Sequence, residues 1–179
     1  QLPYCVQIKL GRLLGRIALP FSHHRRKITE TNLKICFPAL NKNELDRLLK
    51  RTFESAGIAI FEFGMAWWMS TRRLTPLIHL EGIEYLEKAL SQKRGALLLA
   101  AHFTTVEMAG RILSMQTPYN AVYRQHNNVV FDWIMCKARE KHIQKAIGRD
   151  NVKDFLRSFK QNFPVFYVPD QDYGARHSV

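Results

Sequence analysis

Hydrophobic positions follow a helical period up to about residue 95 and then fall into alternating helix-like and strand-like runs. Near the start, Val6, Leu10, Leu13, Leu14 and Ile17 share one side of a helix, while Lys9, Arg12 and Arg16 make an adjoining stripe at i, i+3 and i+7. Two structures fit. One is an interfacial helix with apolar residues in the acyl region of a bilayer and cations at the phosphates; the other is a core helix with a solvated basic edge. Phe37-Pro38 breaks the period, and Asn43 is the expected N-cap of a helix carrying Leu45, Leu48, Leu49 and Phe53 on its apolar side. The stretch Ala56 to Met69, AGIAIFEFGMAWWM, holds a single charge, Glu62, and is too short to span a bilayer as ordinary helix. It reads as a buried helix or a greasy surface, and its paired Trp67 and Trp68 suit a membrane interface, a long-chain ligand groove or core packing.

From Glu81 onward the elements alternate. A helix pattern runs to Gly95, the run Ala96 to Ala101 reads as a buried strand, and a helix follows from about Thr105 to Met115. A strand over Asn120 to Tyr123 precedes the helical VVFDWIMCKARE, and a helix capped by Asp150 precedes the strand PVFYVP. Strands separated by helices predict an α/β fold with a largely parallel sheet covered by helices, preceded by a helical, membrane-facing N-terminal segment. The length suits one domain, with a helical basic and apolar part over 1–75 and an α/β part over 76–179.

In open α/β sheets ligands bind beyond the carboxyl ends of the strands, so the residues leaving each strand carry the chemistry. The first strand delivers His102, the second Arg124, and the third Asp170, Gln171 and Asp172. If the strands are parallel neighbours, a base, a cation and two carboxylates share one edge. Glu107 follows His102 by five residues, which on one continuous helix would set them ~140° apart; His102 therefore precedes the helix. With Thr104 as N-cap, Glu107 has two competing roles. It can reach back to orient the imidazole, as in a nucleophile-activating dyad, or it can close a Thr-x-x-Glu capping box. Arg124, with Asn127 and Asn128 behind it, suits phosphate or carbonyl binding, or is a solvated cation at a strand end. Asp170 and Asp172 suit a metal ion or a sugar hydroxyl, or turn formation before Gly174.

Charge narrows the partners. Subtracting 15 acidic from 27 basic side chains leaves +12, so an anionic surface is expected: phospholipid, phosphorylated substrate, acidic protein or nucleic acid. None of the common nucleic-acid-binding signatures is present, and that account gives the segment 56–69 no role. Three separated cysteines, Cys5, Cys36 and Cys136, indicate neither a disulfide framework nor a zinc site and fit a reducing compartment.

The segments GALLLAAHFTTVEMAG, AVYRQHNNVVFDW and VFYVPDQDYG together resemble the lipid A late acyltransferases, the lauroyl/myristoyl branch of the lysophospholipid acyltransferase superfamily, with weaker echoes over the rest of the chain. The resemblance implies a His-x4-Glu catalytic pair, His102 and Glu107, which transfers a fatty acyl group from acyl carrier protein to a hydroxyl of a phosphorylated lipid A precursor; the alternative readings are acylation of another membrane lipid or glycolipid, or a truncated, non-catalytic membrane-surface protein. It implies no cofactor and no metal, and a location at the cytoplasmic face of the inner membrane, against its anionic surface. Arg124, Asn128, Arg149, Asp170 and Asp172 match other positions of the family pattern and are assigned to substrate binding; Lys9, Arg12, Arg16, Trp67 and Trp68 are assigned to the membrane-facing side. No nucleic-acid partner is expected. Members of the family usually open with an anchoring helix and continue past PDQDYG, so the sequence reads as an incomplete chain.

Overall fold

A computed structural model of the protein describes residues 2–171. Among them are eight α-helices and four strands, and the chain divides into two compact units, 1–65 and 66–179. The boundary falls inside one helix.

The first unit is helical: α1 (Tyr4–Phe21), α2 (His23–Cys36) and most of α3 (Lys42–Trp68). The helix α3 starts two residues earlier than an Asn43 cap would place it. Asn41, not Asn43, is its cap: its side chain accepts from the Glu44 N–H at 3.0 Å, and the Glu44 carboxylate accepts from the Asn41 N–H at 2.9 Å. This reciprocal pair satisfies two N–H groups that a helix start leaves open.

The packing face of α1 is the reverse of what hydropathy suggests. Its buried residues are Gln7, Gly11 and Gly15, one per turn, and the two glycines lie against α3. A Cβ added at Gly11 would sit 2.6 Å from the Ile58 Cα, and one added at Gly15 or Gly57 would collide with backbone of the facing helix. The two helices touch backbone to backbone, so only glycine fits. Arg16 fixes the crossing by donating to Glu54 at 2.6 Å, and that hydrogen bond holds the Glu54 carboxyl below its usual range. Leu10, Leu13, Leu14, Ile17 and Phe21 are left exposed, which overturns the core-helix alternative. No helix among the described residues is long and apolar enough to cross a membrane.

The second unit is an α/β layer structure. Its strands are β1 (Ala96–Leu99), β2 (Asn120–Tyr123), β3 (Lys145–Gly148) and β4 (Pro164–Tyr167), ordered β1-β4-β2-β3 and all parallel. Between them run α6 (Val106–Ser114), α7 (Val129–Arg139) and α8 (Val152–Lys160), after the short α4 (Thr71–Leu74) and α5 (Ile83–Ser91). Strand β3 has no counterpart in the hydropathy reading, because KAIG buries fully only Ile147 and lies at the edge of the sheet. Gly95 enters β1 with φ +68°, a conformation that other residues resist, and packs on Phe159. Asn151, not Asp150, caps α8 by accepting from the Asp154 N–H at 3.1 Å.

Candidate active site

Parallel strands put all four carboxyl ends on one edge, and each end delivers a polar group. His102 follows β1, Arg124 follows β2, Arg149 follows β3 and Asp170 follows β4. Because β4 lies between β1 and β2, the chain after β4 falls beside the chain after β1, 68 residues away in sequence. Asp170 there accepts twice from one residue: the His102 backbone N–H donates to Oδ2 at 2.8 Å, and His102 Nδ1 lies 2.6 Å from Oδ1. The backbone N–H first, and then the ring, hold the Asp170 carboxyl below its ordinary range, so it is ionised and can only accept. A carboxylate acceptor fixes the proton on Nδ1 and leaves the lone pair of the neutral ring on Nε2. Among the described residues Nε2 has no hydrogen-bond partner.

The Glu107 carboxylate has other partners than the His102 imidazole. It is on the first turn of α6, whose N-cap is Thr105 with no side-chain capping bond. The Glu107 carboxylate receives Trp67 Nε1–H at 2.9 Å and a two-pronged Arg139 guanidinium, with Nε at 3.1 Å on one oxygen and Nη2 on the other. Burial opposes the Arg139 charge, but the bonds and field of Glu107 outweigh it and raise its pKa. Trp67 is thereby corrected as a membrane-facing residue. It is only 7% exposed, packs with Met135 and Ala138, and turns its one polar atom to Glu107, whereas Trp68 is 56% exposed.

His102, Glu107, Arg124, Arg139 and Arg149 line one cavity of about 570 Å³, whose apolar wall includes Met135, Ile143 and Phe166. Asn128 is not in that wall. Its side chain caps α7 by accepting from the Phe131 N–H at 3.0 Å, and its own N–H donates to His126 Nδ1. Asp172 lies outside the described residues. Sequence reasoning missed Arg139 altogether; a cation in the last turn of a helix reads as ordinary dipole complementation. The arrangement can take a proton at Nε2 and stabilise the resulting imidazolium through Asp170, beside a space with both cationic and apolar walls.

Comparisons with known proteins find relatives over the whole length of the chain. The lipid A biosynthesis lauroyltransferase of Escherichia coli (strain K12) is 38% identical over 179 residues, covering 100% of this chain and 58% of the relative. The lipid A biosynthesis palmitoleoyltransferase of the same organism is 35% identical over 178 residues, 99% of this chain and 58% of the relative. A lipid A biosynthesis acyltransferase of Haemophilus influenzae is 32% identical, covering 99% of this chain and 57% of the relative. The chain thus spans a little under three fifths of the length of the curated relatives it matches. The family described as bacterial lipid A biosynthesis acyltransferase matches residues 1–179, and the chain belongs to that family.

Proposed function

We propose that the protein transfers a fatty acyl group from acyl carrier protein to a hydroxyl of a phosphorylated lipid A precursor. The observation that carries this reading is the His102 ring, tied at Nδ1 to an ionised Asp170 and open at Nε2 on a cavity with cationic and apolar walls. Nε2 removes the proton of the acceptor hydroxyl as its oxygen attacks the thioester carbonyl; the C–S bond breaks, and the thiolate takes the proton back from the imidazolium. General-base help of this kind contributes about 10² to 10⁴ in rate. Glu107 acts as a positioning residue, holding Arg139 and Trp67 in the wall. Arg124 and Arg149 offer cations to the acceptor, and the apolar wall receives the acyl chain. The test is mass spectrometry of lipid products after incubation with acylated carrier protein and the acceptor. His102→Ala should remove nearly all product while leaving the circular dichroism spectrum unchanged; full turnover by that variant overturns the assignment.

The reading extends to location: the cytoplasmic face of the inner membrane, with α1 lying on the anionic leaflet. Its support is the exposed row Leu10, Leu13, Leu14 and Ile17 beside the exposed cations Lys9 and Arg12; Arg16 is committed to Glu54. Each cation contributes about 1 kcal/mol near an anionic surface, so Lys9→Gln/Arg12→Gln should weaken binding to anionic vesicles and leave binding to neutral ones unchanged in a co-sedimentation assay.

A further inference from the structure

The same cavity has in its wall a buried arginine with no counter-ion among the described residues. Arg111 stands one turn beyond Glu107 on α6 and is 7% exposed. Its guanidinium donates to Thr71 Oγ1 at 2.8 Å and to Ser114 Oγ at 3.1 Å, and its buried Nε has no partner. No carboxylate among the described residues forms an ion pair with it; Glu107 is taken up by Arg139. Arginine does not shed its proton, so burial leaves a full positive charge facing neutral hydroxyls, and an unpaired buried charge is costly. The surroundings offer no compensation. His142, also in the wall, is held towards its neutral form by burial and by the Arg111 field, and burial keeps the Tyr119 phenol protonated. Among the described residues of the wall, four guanidiniums (Arg111, Arg124, Arg139, Arg149) face two carboxylates, Glu107 and Asp150.

We propose that Arg111 and the cavity around it form an oxyanion subsite for a phosphate ester carried by a substrate. The subsite is set deeper along α6 than the His102 end, by about 7.5 Å of helix rise beyond Val106. Phosphate supplies the missing negative charge and fits the planar fork of a guanidinium. The source of the phosphate rests on the acyl-transfer reading: it belongs to the glycolipid acceptor or to the phosphopantetheine arm of the acyl donor.

The experiment titrates inorganic phosphate into the 179-residue chain and follows binding by calorimetry. Wild type should bind saturably, Arg111→Gln should weaken binding at least tenfold, and Arg111→Lys, which keeps the charge without the fork, about threefold. Lys88→Gln/Lys160→Gln removes two exposed cations elsewhere and should leave the affinity in place. No saturable binding by wild type, unchanged affinity in Arg111→Gln, or equal weakening by the lysine pair overturns the proposal. If Arg111→Gln does not fold, Arg111→Lys decides: unchanged affinity overturns the subsite. Displacement of phosphate by glucosamine 1-phosphate but not glucosamine assigns the site to the acceptor. Displacement by phosphopantetheine but not pantetheine assigns it to the donor, and displacement by neither overturns the substrate assignment. A chain that binds phosphate but transfers no acyl group loses the catalytic reading and keeps the subsite.

Discussion

Asp170→Asn should lower the acyl-transfer rate by roughly 10³ to 10⁴ while the protein stays folded, the scale seen when a histidine base loses its orienting carboxylate. Asp170 accepts two N–H groups from one residue, the backbone and ring nitrogens of His102. An asparagine has one acceptor oxygen and one NH2 group, so it can satisfy only one of them. With the amide oxygen on the backbone N–H, the NH2 faces the ring, Nδ1 must accept, and the proton moves to Nε2, where it blocks the base. Nitrogen NMR of the ring reads this tautomer change directly, and an unchanged tautomer with full activity refutes the assigned role. The pH dependence has a definite sign. The Asp170 carboxyl is depressed in the folded state, so its contribution to stability is present above the ordinary aspartate value and is lost as pH falls through the lowered one. The melting temperatures of wild type and Asp170→Asn should therefore converge in acid.

Glu107→Gln should lower stability by about 3 kcal/mol, a fall of roughly 6 to 12 °C in melting temperature for a chain of this size. The side chains of Glu107 and Arg139 are 12% and 27% exposed, so removing the carboxylate strands a mostly buried guanidinium. A glutamine in a capping box would cost little; the fall in Tm therefore separates an ion-pair role from a capping role. The companion Glu107→Leu/Arg139→Met, which removes both charges, should regain most of the lost stability, because replacing a buried pair by apolar side chains is often neutral. A single variant as stable as wild type refutes the ion-pair account. Activity should fall as well, since the Arg139 guanidinium that the Glu107 carboxylate holds in the cavity wall loses its counter-charge.

The alternation of helix and strand after residue 81, and the strand exits bearing His102, Arg124 and Asp170, are legible because local hydropathy and the parallel-sheet rule act on contiguous residues. The partner of His102 is not legible. The His-x4-Glu spacing draws attention to the near carboxylate, and only the strand order, with β4 between β1 and β2, brings up the far one. Trp67 and Trp68 are neighbours of one residue type, yet one is buried and the other exposed, because helical rotation turns them 100° apart. The caps differ by one or two positions from the expected ones for a related reason: Asn41, Asn43, Asp150 and Asn151 share one capping chemistry, and the true start of the helix chooses among them.

The glycine contact between α1 and α3 inverts the ordinary rules of substitution along an amphipathic helix. In most such helices the apolar row is intolerant because it builds the core, and the small residues are dispensable. Here α1 is fastened by its backbone, so the leucine row is released from any duty in folding. Its side chains can drift among greasy residues, or carry a fluorophore at Leu13, and change only what the helix meets outside. The rigid positions are Gly11, Gly15 and Gly57, where a single added methyl group has nowhere to go. The exposed apolar row and the packed glycine row are thus written on separate faces, and selection can tune one without disturbing the other.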